Sequence, residues 1–140
     1  DITVIGYGAS ELDDYLRRAA ARQGRVIVQE PTPEKGFYYR SDHFNLAKQG
    51  VPMLYTKAGI DSPTKGPDHG RAWLDDYVAN RYHKPSDEYD PGWDVSGTLQ
   101  DLAVYYDVGL AVANSDERPN WREGNEFRAI RDKSRAAAIR

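Results

Sequence analysis

The chain opens on an apolar, β-branched run, Ile2-Thr3-Val4-Ile5-Gly6-Tyr7, that reads as a short buried strand closed by glycine. Gly8 supplies the turn that follows. Ser10 is placed as a helix N-cap, with Asp13 three residues on as an approximate capping box. Leu12, Tyr15, Leu16, Ala19 and Ala20 then recur at amphipathic helical spacing, with Arg17, Arg18 and Arg22 outside and Gly24 as the stop. Arg25-Val26-Ile27-Val28-Gln29 reads as a second strand. Strand, helix and strand in close succession predict a βαβ unit, a parallel pair of strands covered by a helix.

Pro31 to Gly36 reads as a loop, leading through the aromatic stretch Phe37-Tyr38-Tyr39 to Arg40-Ser41-Asp42-His43. Ser41 is placed as the cap of a short helix through Lys48, stopped by Gly50. Val51-Pro52-Met53-Leu54-Tyr55 reads as a third strand with proline near its start, where it is tolerated. The polar stretch from Gly59 to Arg81, rich in Gly, Pro and Asp, is expected to be a functional loop or lid, or to be disordered. Ser96 opens the last well-patterned helix, whose stripe is Leu99, Leu102, Ala103, Tyr106, Leu110 and Ala113. From Asp116 the chain is a charged tail, helix-prone between Glu126 and Ala138.

Composition qualifies this outline. Leu, Ile, Val and Phe together make 26 of 140 residues, a thin core for one domain. Ten Tyr, three Trp and a net charge of only −3 favour a globular chain over a disordered one. No apolar run approaches the roughly 18 residues of a membrane span. The balanced charge argues against nucleic acid as the main partner. Cysteine is absent, which excludes a disulfide framework, a thiolate zinc site and a cysteine nucleophile. No signal peptide or initiator Met opens the chain, and the apolar run that starts at once after Asp1 reads as the product of processing or truncation.

Several residues carry candidate chemistry. Gly6-Tyr7-Gly8 sits between a strand and a helix but lacks the third glycine of a dinucleotide fingerprint, with Glu11 in its place, so a tight turn is the preferred reading over an anion site. His83 follows the long polar stretch and precedes Pro85, Asp87 and Glu88, a setting suited to a metal-ligating imidazole oriented by a nearby carboxylate. Ser41, Asp42 and His43 have the residue types of a hydrolase triad, but adjacent positions do not converge as a triad must, and no nucleophile elbow surrounds Ser41. His69, Asp13-Asp14 and Asp75-Asp76 read as solvated. Three histidines without a His-x-Asp, His-Glu-x-x-His or Glu-Glu pattern do not make a complete zinc site.

Taken in order, Arg40-Ser41-Asp42-His43-Phe44, Gly50-Val51-Pro52 and Tyr82-His83-Lys84-Pro85-Ser86-Asp87 resemble the C-terminal part of the co-catalytic di-zinc aminopeptidase family, whose relatives include glutamate carboxypeptidase and glutaminyl cyclase. Ile5-Gly6-Tyr7-Gly8-Ala9-Ser10-Glu11-Leu12 resembles the strand and helix that follow that family's central metal loop. The resemblance covers residues 1–117, with 118–140 left as the charged tail. It implies a three-layer α/β sandwich with a mostly parallel mixed sheet, of which this chain is the C-terminal half. His83 matches a late histidine ligand to one of two zinc ions. Ser41, Asp42 and His43 match the segment lining the substrate cleft, with Tyr39 just upstream placed in the pocket wall, and Asp87 is implied to be a helix cap or a group behind the ligands rather than a ligand. The implied reaction is peptide-bond hydrolysis by metal-activated water. The family's other metal ligands and its general-base Glu have no counterpart here, so the implied partners are a peptide substrate and a missing N-terminal portion of the same domain. The family often implies a secreted or periplasmic location. A non-catalytic binding module that keeps the peptidase fold, and an anion- or nucleotide-binding α/β domain using Gly6-Tyr7-Gly8, stand as competing readings.

Overall fold

A computed structural model describes residues 1–138. The first strand, β1 (Ile2–Ile5), is the central strand of a three-stranded mixed sheet. After the helix α1 (Leu12–Ala21) the chain returns as β2 (Ile27–Gln29), parallel to β1 with Ile2 opposite Ile27 and Val4 opposite Gln29. The βαβ unit is thus formed as its periodicity predicts. On the other edge β3 (Tyr55–Ala58) runs antiparallel, with Ile5 opposite Tyr55 and Ile2 opposite Ala58. The third strand therefore lies later than Val51–Tyr55. Gly50 turns the chain at φ 82°, and Pro52 has no N–H to give a ladder, so pairing begins only beyond them.

Alternation along β1 divides the interior in two. Ile2 and Val4 pack with Leu16, Ala19 and Ala20 of α1 and with Val104 and Val108 of the long helix that follows later in the chain. Ile5 points into a second cluster with Tyr38, Ala47, Trp121 and Phe127. Apolar groups on both faces of a mixed sheet are the arrangement of an α/β sandwich.

The start of α1 shows why Asp13 is not a solvated acid. It is 4% exposed, and its carboxylate accepts a hydrogen bond from the Gly8 N–H at 2.6 Å. Burial raises its pKa, partly offset by that bond. The intended capping box is shifted: Ser10 Oγ accepts from Leu12 N, and Asp13 reaches back past Ser10 to the glycine turn. Asp14 does remain at the surface, paired with Arg17 at 2.7 Å and with Arg122.

Two turns of 3₁₀ helix (Pro33–Lys35 and Phe37–Arg40) and a single-turn helix α2 (Phe44–Ala47) connect β2 to β3. The stretch from Gly59 to Arg81, expected as a loop or lid, instead carries a helix, α3 (Gly66–Asn80). Its sequence hides this because Gly66, Pro67 and Gly70 punctuate it and none of its residues is buried. Gly66 takes φ 76° and Pro67 falls in the first turn, where a missing N–H costs nothing.

The helix opened by Ser96 is present as α4 (Ser96–Ala113), but its buried stripe is Val104 and Val108. The expected stripe faces outward, with Leu102 55% and Tyr106 68% exposed. This helix is apolar nearly all round, so its period alone allows either face. Ion pairs Arg22–Asp107 at 3.0 Å and Arg25–Asp101 at 2.7 Å join it to the α1 region, on the side that buries the valines. The charged segment after Asp116 also packs inward: Trp121 is fully buried and donates from Nε1 to the Gly50 carbonyl at 3.0 Å. Backbone bonds Glu11 N to Asn120 O and Arg122 N to Ala9 O stitch it to the start of α1, and α5 (Arg128–Ala138) follows. Among the described residues no helix is long and apolar enough to cross a membrane.

Candidate functional site

In a parallel pair of strands, the turns that leave the carboxyl ends leave room for a ligand. Here Gly6-Tyr7-Gly8 follows β1 and Glu30 follows β2, and a cleft of about 280 Å³ lies between them. Its walls include Gly6, Glu30, Tyr38, Tyr39, Glu126 and Phe127. Gly6 is required for its shape: φ is 74°, and a Cβ there would come within 2.5 Å of the Tyr38 ring.

Glu30 is 6% exposed. One carboxylate oxygen, Oε1, accepts from the Gly6 N–H at 3.2 Å, while Oε2 is buried without a hydrogen-bond partner among the described residues. The Tyr38 hydroxyl is likewise buried and unpartnered, and burial raises its pKa, which keeps it protonated. Tyr39 donates its hydroxyl hydrogen to Glu126 Oε1 at 3.0 Å, and this bond raises its pKa. Both of these side chains are exposed.

The residues singled out from sequence divide between two places. Tyr39 borders the cleft, whereas Ser41, Asp42 and His43 follow it without lining it. The Ser41 and Asp42 carbonyls accept the first backbone bonds of the α2 turn, from Phe44 N at 3.0 Å and Asn45 N at 3.3 Å. The His43 ring stands edge-on to Tyr38 at 4.7 Å and tilts against Tyr55 at 5.2 Å. Among the described residues its two ring nitrogens are buried without partners, so these residues form no Ser–His–Asp relay, and burial lowers its pKa.

His83 lies beyond α3 in a different aromatic group. It stacks on Tyr82 at 3.9 Å, and Tyr82 tilts against Tyr77. It is the one non-glycine residue with positive φ, 58°, among the described residues. Asp87 accepts a hydrogen bond from the Tyr77 hydroxyl at 2.8 Å, which ties the turn after α3 back to that helix. His69 is exposed on α3, and Asp76 pairs with Arg81 at 2.8 Å.

Among the described residues no group of three or more His, Asp or Glu is placed to hold a metal ion. A lone exposed imidazole does not meet the three or four ligands, roughly, that a zinc ion takes. The residues present therefore do not by themselves fit a zinc centre.

Glu30 and Glu126 escaped the reading of the sequence. Glu30 carried a usable signal, an acid closing an apolar strand at the carboxyl end of a βαβ unit. Glu126 carried none, because only the packing of Trp121 and Phe127 brings its segment to the cleft.

A family model described as Peptidase family M28 matches residues 1–107. Searches of curated proteins and of solved structures return no significant match.

Proposed function

The chain belongs to peptidase family M28, and on that premise we propose that it forms part of a zinc-dependent, aminopeptidase-like catalytic domain that hydrolyses peptide bonds together with a further, N-terminal portion of that domain. In this reading His83 is the chain's one contribution to metal binding. Tyr39 and the Ser41-Asp42-His43 segment border the substrate, and Asp87 keeps the His83 turn in place.

The observation that carries this reading is the backbone of His83. A side-chain-bearing residue in the left-handed region is uncommon, costs about 1 kcal/mol or more, and is found preferentially where function holds it. The outward face of α4 supports the second portion. Leu99, Leu102, Tyr106 and Leu110 form an apolar stripe with no partner here, on a helix apolar enough to be covered on both sides.

The test is to join this chain to the remainder of the domain and measure bound zinc and peptide cleavage, with and without His83→Ala. The expected result is stoichiometric zinc and cleavage in the joined protein, both lost with His83→Ala. Undiminished cleavage by His83→Ala, or tight stoichiometric zinc on this chain alone, overturns the proposal.

A further inference from the structure

Glu30 and Tyr38 line the cleft at the ends of β1 and β2, and each carries a buried polar atom with no partner among the described residues. These atoms are Glu30 Oε2 and the Tyr38 hydroxyl oxygen. A carboxylate that is 94% withdrawn from solvent is costly to leave half-satisfied, and buried charges are normally paired. The Gly6 N–H already occupies Oε1, so Glu30 is held in place with Oε2 left over. At the mouth of the same cleft Glu126 adds a second carboxylate. Among the described residues no Lys, Arg or His lines the cleft. The rest of the wall is aromatic, from Tyr38, Tyr39 and Phe127.

From these features we infer that the cleft is a specificity pocket for a guanidinium or primary ammonium group on an apolar stem, the side chain of an arginine or lysine in a peptide. The Glu30 carboxylate in the wall balances the cation's charge, the aromatic walls hold its stem and its charged plane, and the exposed Glu126 attracts it. A guanidinium fits best, because its planar fork of donors suits a carboxylate and its delocalised face stacks on rings. A bare divalent ion fits poorly. It takes about six oxygen ligands, and among the described residues no three His, Asp or Glu side chains converge. The inference rests on the peptidase reading only in assigning the cation to a peptide; affinity for the charged group stands apart from cleavage.

The test is an NMR titration of the full chain with N-acetyl-arginine amide, set against N-acetyl-citrulline amide, its neutral isostere, and magnesium chloride at matched ionic strength. The expected result is saturable shifts at Gly6 and Tyr38 with the arginine compound. Binding should be about tenfold weaker or more for citrulline, as befits loss of a charge-assisted hydrogen bond, with no saturable shift from magnesium. Glu30→Gln keeps an acceptor for Gly6 and removes the charge, and should weaken arginine binding by about the same factor. Glu126→Gln, at an exposed position, gives an independent reading and should weaken it several-fold. Equal binding of citrulline, saturable binding of magnesium at the same residues, or arginine binding indifferent to both substitutions overturns the inference. If the joined domain cleaves peptides while the titration is flat, this inference alone falls. If the titration succeeds and the joined domain cleaves nothing, the peptidase reading falls and the cation pocket stands.

Discussion

Replacing Trp121 with alanine removes the largest side chain of the second apolar cluster. Trp121 is fully buried against Phe127, and its Nε1–H donates to the Gly50 carbonyl at 3.0 Å. Burying a tryptophan withdraws about 200 Å² from water, worth ~5 kcal/mol at about 25 cal/mol/Å² against an extended chain. A denatured chain that is already partly compact lowers this to ~3–4 kcal/mol. The Gly50 carbonyl, left without its donor, adds about 1 kcal/mol. The expected loss is therefore about 4–5 kcal/mol, at the upper end for truncations of this kind and a large fraction of a typical total stability of about 5–15 kcal/mol. Trp121→Phe keeps a ring in the cluster and drops only the donor and some volume, so about 1–2 kcal/mol is expected. Urea denaturation of the full chain, followed by far-ultraviolet circular dichroism, reads both variants. Trp93→Ala, at a site 53% exposed, is the control and should stay within about 0.5 kcal/mol. A loss below about 1 kcal/mol for Trp121→Ala would refute the claim that the charged C-terminal segment shares the core.

Gly6→Ala meets both a positive φ and the Tyr38 ring, and should cost about 2–3 kcal/mol, whereas Gly8→Ala, with φ 83° but open space around it, should cost about 1 kcal/mol. Similar urea midpoints for the two variants would show that Tyr38 does not seal the cleft against Gly6. Burial holds the His43 pKa below its usual value, so its contribution to stability is complete above about pH 6.5 and declines as pH falls from there toward the lowered folded value. His43→Phe should flatten that acid limb in urea midpoints taken across the range; an unchanged slope would show that the imidazole is solvated.

Much of the fold is legible in the sequence where one element carries its own signal. The β-branched run of β1, the helical period and glycine stop of α1, and their short spacing specify a βαβ unit without reference to the rest of the chain. The ordered motifs around Asp42, Gly50 and His83 likewise point to the family whose model matches residues 1–107. The errors have physical causes. The helix α3 buries nothing, so no apolar stripe marks it. The helix α4 is apolar nearly all round, and periodicity cannot choose between Leu102 and Val104 as the inward residue.

Local pattern determined the type of most elements, because backbone propensity and period act over a few neighbouring residues. The tertiary structure alone decided which faces are covered and which side chains meet. It turned Asp13 inward to hold Gly8, set the valine face of α4 against α1, and seated Trp121 under Gly50. It also brought Glu30, Tyr38 and Glu126 to one cleft from three separate segments. Those contacts span up to about a hundred residues of sequence, and their energy comes from burial, which is a property of the packed chain rather than of any stretch within it.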